Sequence, residues 1–252
     1  MTSRFDKLGI KQTIQKAWMD RTLEMVLSGM PEREIRAELD GFLSTQKQSG
    51  GVGERGKKTY GMALATLASW FAPDDALAPF VNDSIGLARR IAPNSWLSLH
   101  WAVVSANYPF WFNVAKQTGR LLNLQDQISQ PQIFSRLKEQ YGDRETVARN
   151  ARYTVRSFVS WDVLVDSDTR GCYEKSSLVE INDPNIAGIL IESVLLTLPT
   201  GKGSLSSILS NPGLFPFQIY CSNGELIASL SERVEVNRLG LDEDMLTIIR
   251  DK

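Results

Sequence analysis

The sequence predicts a mainly α-helical protein with small β elements, a helical N-terminal half and winged helix-turn-helix-like units. Apolar residues recur at helical spacing along most of the chain. Between Ser129 and Tyr173 the predicted order is a short helix, a turn at Gly142, an arginine-bearing helix and a small hairpin, which is the order of a winged helix-turn-helix. The 252 residues are 42% hydrophobic and 23% charged, as in ordinary globular proteins.

The N-terminal half is predicted to consist of helices joined by turns and one long loop. Apolar residues at helical spacing predict a first helix at residues 10–28. Pro31 is typical of the first turn of a second helix. The polar, glycine-rich residues 44–58 predict a surface loop. Two more helices are predicted before residue 95, at residues 60–71 and 83–91.

The apolar stretch Trp96–Ala115 has about the length of a membrane span. It carries His100, Asn107 and other polar side chains, and Pro109 interrupts it. A proline inside a helix removes a backbone hydrogen bond and kinks or breaks the helix. We therefore interpret this stretch as a buried helix that breaks near Pro109 and continues to Leu122.

The C-terminal part is predicted to mix helices and strands. Asn182 or Asp183 caps a helix that has Pro184 in its first turn. Apolar and polar residues alternate on both sides of a Ser-Asn-Gly turn, which predicts a hairpin. The predicted elements are a helix at residues 184–198, a turn at 201–203, a short helix at 204–209, the hairpin at 217–230, a strand at 234–236 and a last helix at 242–249.

These elements predict three domains. The first is an N-terminal helical domain at residues 1–95, the second a central helix with the winged helix-turn-helix at residues 96–178, and the third an α+β subdomain at residues 179–252. Residues 31–70 and 131–161 share an ordered set of residues that ends in Ser-Trp. This similarity is either a structural duplication, which makes the first domain helix-turn-helix-like, or chance.

The helix predicted at residues 145–161 separates apolar from polar side chains when it is drawn at 100° per residue. Its core face is predicted to hold Ala148, Ala151, Val155, Phe158 and Val159. Arg149, Tyr153 and Arg156 lie beside that face, and Asn150, Thr154 and Ser157 are predicted to point away from it. Such a surface suits the DNA major groove, where arginine recognises guanine and asparagine recognises adenine.

Basic residues around this helix are candidates for contacts with phosphate. Residues 136–156 include six Arg or Lys and three Asp or Glu, while the whole chain has a net charge of −1. The alternative interpretation is an ordinary solvated helix face. Phosphate contacts without base specificity are also expected from the loop at residues 44–58. The predicted nucleic-acid-binding residues are Arg136, Lys138, Arg144, Arg149, Asn150, Tyr153, Arg156, Arg170, Lys175, Arg55, Lys57 and Lys58.

The composition argues against most enzyme classes. The chain has one histidine, His100, and two cysteines far apart, so a zinc site or a disulfide framework is not expected. His100 lies in an apolar run, where a packed helix residue is a simpler interpretation than a catalytic base. We therefore expect no catalytic residue, no metal and no cofactor. The polar N-terminus lacks the apolar core of a signal peptide, which predicts a cytoplasmic protein.

An ordered set of short motifs resembles the BrxA family of BREX phage-defence systems over roughly residues 10–250. The set includes His100-Trp101, Tyr108-Pro109-Phe110, Gly119-Arg120-Leu121-Leu122, Gly142-Asp143-Arg144 with Thr146-Val147, Ser160-Trp161, Leu214-Phe215-Pro216-Phe217 and residues 234–242. The resemblance implies a small, mostly helical, non-enzymatic cytoplasmic protein with winged-helix-like parts that binds double-stranded DNA. Its expected partners are duplex DNA and other BREX proteins, among them a methyltransferase and an ATPase.

The resulting prediction is a component of a BREX system that binds duplex DNA with low sequence specificity. The main alternative is a protein–protein adaptor within the defence complex, and a second alternative is an RNA-binding protein. The sequence leaves open whether the protein forms a homo-oligomer. An adaptor is favoured if an exposed aromatic patch forms among Trp70, Phe71, Phe110, Trp111 and Phe112.

Overall fold

A computed structural model describes residues 4–46, 56–220, 223–239 and 243–249. Within these residues the chain is mainly helical with small β elements, as predicted. The helices are α1 (Lys16–Leu27), α2 (Glu32–Ser44), α3 (Lys57–Leu67), α4 (Ala78–Ala88), α5 (Trp96–Asn107), α6 (Pro109–Leu122), α7 (Gln130–Tyr141), α8 (Glu145–Ser160), α9 (Pro184–Thr197), α10 (Leu205–Leu209) and α11 (Gly224–Leu230).

The strands form three small sheets in the described part of the chain. They are β1 (Gln127–Ser129), β2 (Leu164–Asp166), β3 (Cys172–Lys175), β4 (Val179–Ile181), β5 (Lys202–Ser204), β6 (Phe217–Ile219), β7 (Val234–Leu239) and β8 (Glu243–Ile248). One antiparallel sheet has the order β1-β3-β2 and another the order β5-β8-β7, while β4 and β6 pair in parallel.

Helices α5 and α6 form the centre of the hydrophobic core. The prediction of a helical stretch interrupted at Pro109 is confirmed, because α5 ends at Asn107 and α6 begins at Pro109. Trp101 on α5 and Trp111 on α6 are fully buried and lie 5.8 Å apart, measured between ring centroids. Ten of the twelve residues of α5 are buried, so its apolar character reflects packing inside the protein. No helix among the described residues is long and apolar enough to cross a membrane.

Residues 7–15, just before α1, are not helical, in contrast to the prediction of a helix from residue 10. Ile10 and Ile14 are fully buried, but the helix begins only at Lys16. The backbone N–H of Ile14 donates to the hydroxyl of Ser157 on α8 (2.9 Å), and its carbonyl accepts from the indole of Trp161 (3.0 Å). These bonds satisfy the backbone in place of helical ones, so apolar spacing alone gave the wrong start.

The guanidinium of Arg4 connects the start of the described chain to two central helices. It donates to the carbonyl of Ala106 near the end of α5 (2.8 Å) and to that of Leu196 near the end of α9 (2.6 Å). The last carbonyls of a helix lack intrahelical partners and carry partial negative charge, which a guanidinium neutralises. The segment between Arg4 and Ile14 is thus fixed at both ends.

Three predictions in the C-terminal part are wrong. A turn was predicted at residues 201–203, but Lys202 and Gly203 belong to β5. The predicted hairpin at 217–230 is β6 followed by α11, because β6 pairs with the distant β4 and Asn223 caps α11 by accepting from the N–H of Leu226 (2.7 Å). The predicted last helix is β8, which pairs with β7 along its whole length.

The other helices and the strand after residue 230 agree with the predictions in type. The helix α9 begins as expected, with Pro184 in its first turn and Asp183 accepting from the N–H of Asn185 (2.8 Å). The three domain boundaries and the internal duplication stay predictions. One continuous cluster of buried side chains includes residues from all three predicted domains, and α5 packs along α9.

Candidate nucleic-acid interface

Helix α8 is held by a compact unit with the element order α6, β1, α7, α8, β2 and β3. Strand β3 lies between β1 and β2, with Ile128 opposite Tyr173 and Asp166 opposite the same tyrosine from the other side. The backbone N–H of Ser129 donates to the side chain of Gln132 (2.7 Å) and caps α7. Gly142 links α7 to α8 with a φ of +77°, a conformation that favours glycine.

The polar face predicted for α8 is not at the surface, which corrects the sequence-based prediction. Asn150 is 6% exposed, and Thr154 and Ser157 are fully buried. The hydroxyl of Ser157 accepts from the backbone of Ile14, because the segment before α1 covers this side of the helix. The apolar side of α8 is buried as predicted at Ala151, Val155 and Phe158, and Val147 belongs to it, while Ala148 and Val159 are only partly buried.

Three arginines form the exposed stripe of α8. Arg149 and Arg152 are exposed and Arg156 is partly exposed. Their spacing of three and four residues places them on one side of the helix. We call Arg149, Arg152 and Arg156 the arginine stripe. Arg152 was not among the predicted binding residues, although this spacing could have identified it.

The turn between β2 and β3 brings a fourth arginine to the stripe. Arg152, Arg156 and Arg170 line the same cavity of about 600 Å³, together with Gln130 and Tyr173. Asp166 is the one carboxylate among the described residues that line it, and it pairs with the guanidinium of Arg156. Burial acts to lower the pKa of Arg156, but the hydrogen bond and charge of Asp166 raise it, so this guanidinium stays charged.

The remaining predicted residues on α7 and the turn differ in their freedom to contact a ligand. Arg136 is exposed, and so is Lys175 at the end of β3. Lys138 forms an exposed ion pair with Asp143 (2.9 Å), and Arg144 donates to the carbonyl of Tyr141 (3.0 Å). These interactions partly occupy both cations.

The predicted basic loop is partly helix. Lys57 and Lys58 begin α3 and are exposed, while Arg55 lies outside the described residues. Lys58 lines a groove that Arg149, Asn150 and Tyr153 also line. The structure therefore brings one predicted residue from the N-terminal half next to three from α8.

His100 is a packed helix residue, as predicted. It is fully buried, its Nδ1 accepts from the indole of Trp70 (3.1 Å), and its Nε2 lies 2.9 Å from a carboxylate oxygen of Asp20. An indole can only donate, so the imidazole carries its proton on Nε2 and donates to Asp20. The described residues contain no group of three or more His, Cys, Asp or Glu side chains that could hold a metal ion.

The aromatic residues that could have formed an adaptor patch are mostly internal. Trp70, Phe110, Trp111 and Phe112 are buried, and Phe71 is partly buried and packs against the core. Their large rings fill the core, where Trp111 lies 4.8 Å from Phe158 and 4.9 Å from Trp161, measured between ring centroids. These five residues therefore do not form a docking surface.

Comparisons with known proteins give no match for this chain: no protein family, no curated protein and no solved structure is similar to it.

Proposed function

We propose that this chain is a winged helix-turn-helix protein that binds double-stranded DNA with low sequence specificity. In this proposal α7 and α8 are the helix-turn-helix and the turn between β2 and β3 is the wing. The proposal extends to a role in a bacterial BREX anti-phage system, in the cytoplasm and beside other BREX proteins, which rests on the motif resemblance alone.

The arginine stripe is the observation that supports DNA binding best. Three guanidinium groups on one side of α8, with Arg170 beside them, create a local positive field in a chain whose net charge is −1. Arginine pairs well with phosphate and with the edge of guanine. One carboxylate, Asp166, is paired within this group, so Arg149, Arg152 and Arg170 keep their charge available to a ligand.

The burial of Asn150 supports low sequence specificity. Bidentate amide contacts read adenine in the major groove. Asn150 is 6% exposed and lies in the wall of a groove, so it cannot extend to a base edge while α8 keeps its packing. The exposed stripe then offers guanidinium groups alone. Contacts to phosphate fix the orientation of a protein on DNA but carry no sequence information.

A gel shift with duplex DNA, single-stranded DNA and RNA tests the proposal. We expect preference for the duplex and a steep loss of affinity with salt, on the order of 40-fold between about 50 and 200 mM for three phosphate contacts. The variant Arg149→Ala/Arg156→Ala should bind duplex DNA more weakly and with a smaller salt dependence. Its matched control is Arg33→Ala/Lys202→Ala, which removes the same charge from exposed residues outside the interface.

Three outcomes would contradict the proposal. One is the absence of duplex binding by the parent chain at the lower salt concentration. Another is equal affinity of the stripe variant and the control. A preference for RNA over duplex DNA would move the assignment to the RNA-binding alternative.

A further inference from the structure

A groove of about 900 Å³ lies between the segment before α1, the first turns of α3 and the N-terminal half of α8. Four cations from these three elements line it, namely Lys7, Lys11, Lys58 and Arg149. No carboxylate lines it among the described residues, and none of the four cations forms an ion pair with a described residue. We call this feature the basic groove.

The inner wall of the basic groove carries two side-chain amides that are almost buried. Gln12 is 8% exposed and Asn150 is 6% exposed, and both line the groove. The carbonyl of the Gln12 side chain accepts from the N–H of Thr13 (3.1 Å). The side-chain amide of Asn150 makes no hydrogen bond to any described residue. Asn150 lines the groove and its amide has two N–H donors, so the amide can donate to a ligand there.

The basic groove is continuous with the arginine stripe, because Arg149 belongs to both. A ligand that follows these cations passes from the cavity at Arg152 and Arg170, over α8, to Lys58 and then to Lys7 and Lys11. A row of positive charges drawn from four separate elements fits a chain of regularly spaced negative charges better than a single small anion. The phosphodiester backbone of a nucleic-acid strand has this character.

We propose that the basic groove holds the sugar–phosphate backbone of one DNA strand, next to the part of the duplex that α8 contacts. This inference rests on the proposed function and extends its contact area beyond the winged helix-turn-helix to the N-terminal segment and α3. Lys7, Lys11 and Lys58 neutralise phosphates, and the amide of Asn150 donates a hydrogen bond to an oxygen of the backbone.

The test compares the full chain with the variant Lys7→Ala/Lys11→Ala by fluorescence anisotropy on a labelled duplex at several salt concentrations. Both lysines are exposed, so the substitutions leave the core intact. Loss of two phosphate contacts should make the slope of log K, where K is the association constant, against log salt concentration less steep by about 1.8. If the affinity at 1 M salt is unchanged, binding at 0.1 M salt should be weaker on the order of 60-fold. The control Arg33→Ala/Lys202→Ala has the same net charge.

Phosphate-ethylation interference on the same duplex locates the contacts. The parent should show interference at phosphates beyond those affected by Arg152→Ala, and Lys7→Ala/Lys11→Ala should lose that outer set alone. If the groove variant binds with the affinity and slope of the control, the groove does not contact DNA, even though duplex binding through α8 stands. If the parent chain does not bind duplex DNA, both this inference and the proposed function are wrong.

Discussion

The buried imidazole of His100 donates to the partly exposed carboxylate of Asp20 over 2.9 Å and so joins α5 to α1. Burial lowers the pKa of His100, and the hydrogen bond and charge of Asp20 offset this only in part. Burial raises the pKa of Asp20, but its hydrogen bonds with His100 and Lys16 outweigh that effect, so its pKa is lowered overall. The pair is therefore a neutral imidazole beside a charged carboxylate.

This pair predicts that the protein loses stability as the pH falls below about 6.5. The ordinary pKa of histidine is 6.5, so the unfolded chain binds a proton there while the buried ring does not. Above that pH, His100 should not make the free energy of unfolding depend on pH. Below it, protonation of the unfolded chain should decrease the free energy of unfolding by up to about 1.4 kcal/mol per pH unit. Urea denaturation at pH 5.0, 6.0 and 7.5 measures it.

A control for this effect is His100→Gln, whose amide keeps one donor and one acceptor but does not titrate. It should remove the slope between pH 5 and 7. The chain has a single histidine, so the imidazole resonance of the folded protein can be followed directly by NMR. A resonance that titrates near pH 6.5 would show that the ring is not held neutral.

Asp166→Asn is expected to strengthen duplex binding. The substitution removes the carboxylate that pairs with Arg156 and leaves that guanidinium free for phosphate. Asp168→Asn is the matched control, because Asp168 is exposed in the same turn and has no ion pair with a described residue. The dissociation constant should decrease more for Asp166→Asn than for the control. Equal effects would mean that only the overall charge matters.

Gly119→Ala is expected to destabilise the fold. A Cβ atom at this position of α6 would lie 2.0 Å from the carbonyl oxygen of Pro212, and that oxygen cannot move without its backbone. Overpacking of this kind typically costs about 1–3 kcal/mol. Gly41→Ala on α2 is the opposite case, since it meets no atom within 4 Å and should stabilise the helix by about 0.5–1 kcal/mol. Thermal denaturation of both variants distinguishes steric crowding from helix propensity.

Arg233→Met is expected to reduce stability by about 3 kcal/mol, because it leaves the carboxylate of Glu192 buried without its partner. The Nε atom of Arg233 lies 2.7 Å from Glu192, whose side chain is 2% exposed, and Nη1 lies 2.7 Å from Asp83. The double variant Arg233→Met/Glu192→Leu also removes the buried carboxylate and should recover most of the loss. A double variant as unstable as the single one would show that packing, rather than charge, explains the effect.

The helical core could be predicted from sequence because its signals are local. The break at Pro109 and the start of α9 at Pro184 follow from residues within one turn of each site. Strand β8 could not be predicted in this way, because it is fixed by pairing with β7 and β5. The apolar spacing of residues 242–249 does not reveal these partners. Strand β6 likewise depends on β4, nearly forty residues earlier in the chain.

The candidate interface was predicted only in part, for a related reason. The arginines of α8 could be placed on its exposed side from their spacing. The burial of Ser157 could not be predicted, because it involves a contact with Ile14, more than a hundred residues away. Small polar side chains are compatible with either a solvated surface or a close helix contact. The basic groove was missed because its cations come from separate elements.

The two attachments of the N-terminal segment have a consequence for the energetics of ligand capture. Arg4 at the ends of α5 and α9 and Ile14 on α8 hold the intervening backbone in one conformation before any ligand arrives. A polyanion that binds Lys7 and Lys11 therefore does not have to order a flexible segment. The conformational entropy of this segment is already lost when the protein folds. Arg4→Ala should for this reason weaken the equilibrium binding of DNA, although residue 4 lies outside the groove itself.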